Sequence, residues 1–175
     1  MVGFGTSASK DSLSRRVIVG VGDMAVANDA AVTLSTFALG SCIGVVAFHP
    51  ESGVGGMLHI MLPTSRVSEE KARFQPYLFA DTGMDRFRST LATMGADVDK
   101  LRVVVAGGAS VMSANDAFRI GEKNIDAVNE KLSEFGIRAV ASHLGGLSNR
   151  SLDFHLGSGV LKVRLPDQIE EVVLS

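Results

Sequence analysis

A single cysteine in 175 residues excludes an intramolecular disulfide, a cysteine-only zinc site and a CxxC redox pair. The one thiol, Cys42, fits a reducing compartment. Tryptophan is missing, tyrosine occurs once and aromatics make up 6% of the chain, too few for a platform on which single-stranded nucleic acid could stack. Neither sign of charge dominates: 17 basic against 19 acidic residues give a net charge of −2, with no general attraction for nucleic acid or an anionic membrane. No run approaches the roughly 18 uninterrupted apolar residues of a membrane-spanning helix. The Gly- and Ser-rich N-terminus has only isolated apolar residues, Val2 and Phe4, and lacks the apolar centre of a secretory signal. These absences predict a poorly ordered tail over 1–15, one domain over 16–175, no nucleic-acid partner, no membrane insertion and a cytoplasmic location. A domain of this size buries roughly 70% of its unfolded surface and needs no staples.

Glycine, with 19 copies, is the main punctuation, and it repeatedly closes short β-branched runs. Extended segments are expected at Arg16–Val21, Ala31–Leu34, Cys42–Phe48, Gly55–Met61, Leu101–Val105, Arg138–Ser142, Ser151–Leu156, Val160–Leu165 and Glu170–Leu174. Two segments have helical period instead. Met84, Phe87, Leu91 and Met94 form one apolar stripe, with Asp81 or Thr82 as N-cap and Gly95 beyond the end; Ile125, Val128, Leu132 and Phe135 form another, stopped by Gly136. So many strands exceed one small sheet. The fold class is α/β in the α+β sense: a β-sandwich of mixed sheets flanked by helices. The polar run from Thr64 to Pro76 reads as a long surface loop.

Cys42 follows Leu39-Gly40-Ser41 at the start of an apolar strand, where a glycine turn would present its sulfur at a strand end; as a lone cysteine it could equally pack as a small hydrophobe. His59 lies in the apolar run Gly55–Pro63, where an imidazole is costly unless it is hydrogen-bonded or used. Pairing Cys42–Phe48 with Gly55–Met61 as a hairpin turning between Pro50 and Glu51 gives opposed positions that sum to 101. Val45 then faces Gly56, Ala47 faces Val54, and Cys42 faces His59. A thiol beside an imidazole can form the thiolate–imidazolium pair of a cysteine hydrolase. Thr36, six residues before Cys42, is a candidate third group to accept from the other ring nitrogen, though a threonine there is equally an ordinary strand former. The Gly40-Ser41 turn offers backbone N–H groups for an oxyanion. Gly107-Gly108 fits neither phosphate-loop pattern and is read as close backbone approach beside a site. The remaining histidines, His49, His143 and His155, have no metal-ligand spacing, so neither a metal nor any other cofactor is expected.

The run Thr36-Phe37-Ala38-Leu39-Gly40-Ser41-Cys42, followed by Gly56-Met57-Leu58-His59-Ile60-Met61-Leu62-Pro63, resembles the CheD family of chemoreceptor glutamine deamidases. Ala80-Asp81, Ala106-Gly107-Gly108-Ala109, Ile120-Gly121 through Asn124 and Gly145-Gly146 extend the resemblance from about Val17 to Arg164. It implies a β-sandwich flanked by helices, similar to bacterial toxin deamidases. It implies a hydrolase that converts glutamines of methyl-accepting chemoreceptor cytoplasmic domains to glutamate and releases ammonia, with methylester hydrolysis as a lesser activity. The implied catalytic residues are Cys42, His59 and Thr36, acting through a thioester. Ser41 and Cys42 are the leading backbone donors for the oxyanion, with Gly40, Gly107 and Gly108 as further oxyanion or substrate-loop candidates. A CheC-type phosphatase is the implied partner. The alternative from another class is a regulatory module that binds receptor or phosphatase without catalysis. Lys123, where the family often has arginine, and His143-Leu144, where it often has an acidic residue, depart from the pattern away from the implied triad.

Overall fold

The computed structural model describes residues 14–110 and 118–175, so the expected tail lies outside the described residues except at its end, where Arg15 already opens a strand. The strands are β1 (Arg15–Ile18), β2 (Met24–Ala27), β3 (Val32–Leu39), β4 (Ile43–His49), β5 (Val54–Ile60), β6 (Arg102–Gly107), β7 (Ala141–Leu144), β8 (Arg150–His155), β9 (Val160–Arg164) and β10 (Ile169–Val173). The helices are α1 (Glu69–Phe74), α2 (Ala80–Thr93) and α3 (Ile120–Glu134). Two five-stranded mixed sheets result, one in the order β1-β3-β8-β9-β10 and the other β2-β5-β4-β6-β7. The parallel pairs are β1 with β3 and β6 with β7. This is the expected α+β sandwich.

Period-two alternation sorts the side chains into two cores. Leu34, Val46, Phe48, Met57, Val104, Leu152, Phe154 and Leu161 fill the space between the sheets, where Phe48 meets Phe154 edge to face at 5.4 Å between centroids. Ile43, Val45, Leu58, Ile60, Val103 and Val105 project from the opposite face of the second sheet onto Met84, Phe87 and Leu91 of α2 and Val128 and Leu132 of α3. Strands β4 and β5 are therefore covered on both faces, and every residue in them is buried. The helices lie on one flank only. The first sheet turns outward Arg16, Ser35, Asp153, Lys162 and Arg164, a polar face that no helix covers among the described residues.

The helical stripes and their glycine stops stand where the sequence placed them, except that Met94 is not part of the α2 stripe: it is the C-cap, where the chain leaves the helix and exposes it. Gly95 and Gly136, at φ +100° and +68°, each follow a helix end and donate to a carbonyl of the last turn. Asp81 is not the N-cap of α2, a position held by Phe79; it lies in the first turn and accepts from the Ser65 N–H and from the Thr64 and Ser65 hydroxyls. The expected loop after Pro63 thus has a tether, and it also contains α1, capped by Ser68 accepting from the Lys71 N–H. No described helix is long and apolar enough to cross a membrane.

The β4–β5 hairpin differs from the expected register. Its opposed positions sum to 103, so Val45 faces Leu58, Ala47 faces Gly56, and Gly44 faces His59. The turn runs from His49 to Val54 and is closed by the Gly53 N–H donating to the His49 carbonyl, with Gly53 at φ +69°. The left-handed Gly53 moves the turn one position along, which shifts the sum by two. An even shift keeps each residue on its face. His59 therefore still projects between the sheets, on the side to which position 42 alternates.

Candidate active site

The site lies at the end of the inter-sheet space where β4 begins and β5 ends. Thr36 reaches it from β3 in the first sheet and His59 from β5 in the second. Thr36 Oγ1 lies 2.8 Å from His59 Nδ1 and 2.7 Å from the carbonyl oxygen of Val19, and both side chains are buried. A carbonyl only accepts, so the single Thr36 hydroxyl hydrogen goes to Val19. The hydroxyl oxygen must then accept, and the proton it accepts is the one on His59 Nδ1. This fixes the tautomer: Nδ1 carries hydrogen and Nε2 carries the lone pair. His59 Nε2 is buried and has no hydrogen-bond partner. Burial lowers the His59 pKa, opposed by the Val19 carbonyl, so the imidazole is held as a neutral base.

Cys42 is half-buried just before β4 and packs against the inter-sheet core. Burial pushes its thiol pKa up, opposed by its own backbone N–H. A thiol pushed up and an imidazole pushed down favour the neutral pair over the thiolate–imidazolium pair expected from the sequence. Nor are the two hydrogen-bonded, since Nε2 has no partner.

Glycines shape the surroundings of Cys42. Gly107 stands at φ +117°, and a Cβ there would lie 2.0 Å from the Cys42 carbonyl oxygen. The next N–H, of Gly108, donates to that same carbonyl at 2.9 Å, and the Ala109 N–H donates to the Gly40 carbonyl at 2.8 Å. The Gly107-Gly108 turn thus grips the Cys42 loop from behind, the close approach read from the sequence. The Gly108 N–H is spent in this grip and the Gly40 N–H donates to the Ala38 carbonyl. Among the described residues, no other group accepts from the N–H of Ser41 or Cys42. On the strand before the loop, Ala38 has φ +55° at an irregularity in the β3–β8 register. Left-handed backbone at a non-glycine residue is costly, and here it turns the chain from Thr36 toward Cys42.

Three features of the candidate site escaped the sequence. Val19 contributes a backbone carbonyl, which no side-chain pattern reveals. Ala38 shows no turn chemistry. Asn124 was visible within Ile120–Asn124 but had no assigned contact; in the fold it is fully buried and bonds the Ser41 and Met61 carbonyls. Of the two departures, Lys123 lines an open groove beside α3 with Asp126 and Glu130, while His143 Nδ1 lies 3.2 Å from Glu170, joining the edge strands β7 and β10. The described residues contain no cluster of three or more His, Cys, Asp or Glu side chains suited to a metal ion.

Comparison with known proteins identifies the family. Residues 61–165 match the family model described as CheD chemotactic sensory transduction. The chain is 38% identical over 160 residues to a probable chemoreceptor glutamine deamidase CheD of Solibacter usitatus, covering 91% of this chain and 95% of the relative. Chemoreceptor glutamine deamidases CheD of Halalkalibacterium halodurans and Thermotoga maritima are 39% and 37% identical, over 81% and 84% of this chain and 88% and 90% of their own lengths. With a family model matched over more than half of the chain and relatives matched over nearly their whole length, the chain belongs to the CheD family.

Proposed function

We propose that this protein is a cysteine-dependent amidohydrolase that converts glutamine side chains of chemoreceptor cytoplasmic domains to glutamate. The observation that carries the reading is the Val19–Thr36–His59 relay, which leaves the lone pair of a neutral imidazole on Nε2 at the nucleophile's end of the sandwich. The names of the relatives supply the substrate class. Cys42 Sγ attacks the side-chain amide carbon as its proton passes to His59 Nε2, and Thr36 accepts from Nδ1–H throughout. The imidazolium returns that proton to the departing amine and ammonia leaves, with a thioester remaining on Cys42. Water, giving its proton to Nε2, adds to the thioester carbon, and the C–S bond breaks to regenerate thiol and free carboxylate. Ser41 and Cys42 N–H groups receive the oxyanion, since the donors at Gly40 and Gly108 are already engaged. Phe37, beside Thr36, and Met61, two residues after His59, are 45% and 43% exposed and suit an apolar docking rim for a protein substrate.

Purified chemoreceptor signalling-domain fragments incubated with the protein should release ammonia, and mass spectrometry should locate glutamine-to-glutamate conversions. Cys42→Ala should abolish both. Binding without conversion would favour the non-catalytic regulatory module. Methylester hydrolysis and a CheC-type phosphatase partner rest on the family resemblance; methanol release from methylated fragments and co-elution with such a phosphatase test them.

A further inference from the structure

Beyond the triad, and resting on the amidohydrolase reading, we propose that Asn124 is a positioning residue that locks the Cys42 loop to the His59 strand. The β4–β5 ladder ends at the pair Ile43 and Ile60. Past that pair the two chains part: the Cys42 carbonyl turns to the Gly108 N–H, and the Met61 N–H turns to the Leu78 carbonyl. The ladder thus holds His59, opposite Gly44, up to the residue beside Cys42, but no ladder bond reaches Cys42 itself, whose position sets the separation of thiol and imidazole. The Asn124 amide fills that gap. Its Nδ2 donates to the Ser41 carbonyl, immediately before the nucleophile, and to the Met61 carbonyl, two residues beyond the base, both at 2.9 Å. Two carbonyl acceptors on one nitrogen fix the orientation of the amide.

The platform behind the clamp is rigid. Asn124 stands in the first turns of α3, and that helix seats so closely on the glycine turn that a Cβ at Gly121 would lie 2.6 Å from the Gly108 carbonyl oxygen. The same turn holds the Cys42 carbonyl. Helix, glycine turn and nucleophile loop thus form one block, and Asn124 fastens it to β5. A residue kept only for packing would fit this position poorly: Asn124 is wholly buried, and its Oδ1 has no hydrogen-bond partner. An orphaned buried acceptor is destabilising, and an apolar side chain of similar volume removes it only by leaving the Ser41 and Met61 carbonyls without their donor. What that apolar side chain cannot do is hold two carbonyls from two segments at a fixed separation.

The test compares wild type, Asn124→Leu, Asn124→Ala and His59→Ala in two measurements. One is the rate of Cys42 alkylation by iodoacetamide in the native protein as a function of pH. The other is kcat and KM for deamidation of receptor fragments. Asn124→Leu keeps the volume filled and removes both donors. With either Asn124 substitution we expect a folded protein, a fall in kcat of about 10–100-fold with KM nearly unchanged, and an alkylation profile displaced toward that of His59→Ala, as for reacting groups misplaced by about an ångström. A folded Asn124→Leu protein with the wild-type profile and wild-type kcat overturns the clamp. Unfolding of both Asn124 variants also overturns it, by making the residue part of the core. A profile that responds to His59→Ala and not to Asn124→Leu sinks the clamp alone. A profile indifferent to His59→Ala sinks the thiol–imidazole reading and the clamp with it.

Discussion

Thr36 makes both of its polar contacts, with Val19 and with His59, through one hydroxyl, which makes them separable from its packing. Thr36→Val preserves the branched shape, removes the acceptor for Nδ1–H and leaves the Val19 carbonyl with one partner fewer. A neutral histidine freed from that contact can place its hydrogen on either nitrogen and rotate, so a fall in kcat of about 100-fold with KM little changed is expected, while Thr36→Ser restores most of the rate. Steady-state deamidation of receptor fragments checks this, and full activity in Thr36→Val would remove Thr36 from the mechanism. Gly107 is sensitive for a different reason. A methyl group there meets the Cys42 carbonyl oxygen and must also adopt φ +117°, so Gly107→Ala should lose at least about 2 kcal/mol of stability, read by urea unfolding. The surviving folded protein should alkylate Cys42 at an altered rate, because the atom displaced belongs to the nucleophile's own residue. At this scale the sequence was most legible in a pair of side chains, Thr36 and His59, which it singled out and which the fold brings into hydrogen bond. It was silent where backbone does the work, as at the Val19 carbonyl and the left-handed Ala38.

Asp153 ties one sheet together from a single position on β8. It accepts from Ser35 Oγ on β3 at 2.6 Å, from Arg16 on β1 at 2.8 Å and from Arg164 on β9 at 2.8 Å. Burial alone would raise its pKa, but the Ser35 and Arg164 hydrogen bonds and the two guanidinium charges outweigh burial and hold the carboxyl below its usual range. Asp153→Ala strands the buried Ser35 hydroxyl and unpairs two arginines. About 2 kcal/mol of stability should be lost at neutral pH, the low end for a broken buried pair because both arginines are about half in solvent. Urea denaturation measures it, and a change below about 0.5 kcal/mol would show the network to be idle. Elements with strong internal signals were equally readable from sequence: the α2 and α3 stripes with their glycine stops, and the continuous apolar run of β4. Strand β2, Met-Ala-Val-Ala on a sheet edge, has little β-propensity and forms through pairing with β5. Strand β7 falls at Ala141–Leu144, later than the expected Arg138–Ser142, because parallel pairing with β6 rather than local composition sets it. Helix α1 is the avoidable miss, since Ser68 followed by Glu69-Glu70 and then Lys71 is an N-cap with favourable charges.

The molecule as a whole inherits a pH dependence from the imidazole it buries between the sheets. His59 has a lowered pKa in the folded state, so below the ordinary value of about 6.5 the unfolded chain binds a proton that the native chain resists. Stability therefore rises with pH through this window. The contribution is fully present above about pH 6.5 and is lost as the pH falls below it. Asp153 acts lower: its depressed pKa contributes stability that is present above the usual carboxylate value and is lost as pH falls through the folded one. The two windows separate by variant. Urea unfolding of the wild type should show falling stability from about pH 7 to about pH 5, and His59→Gln should flatten that first decline while leaving the more acidic one in place. Asp153→Asn should do the reverse. If His59→Gln retained the full decline between neutrality and pH 5, the buried neutral imidazole would not be its source. Loss of activity over the same interval in the wild type would then require another explanation than protonation of Nε2. If the decline flattens, a single proton on His59 both occupies the Nε2 lone pair and costs stability, because the charge it brings is buried between the sheets while Thr36 still accepts from Nδ1–H.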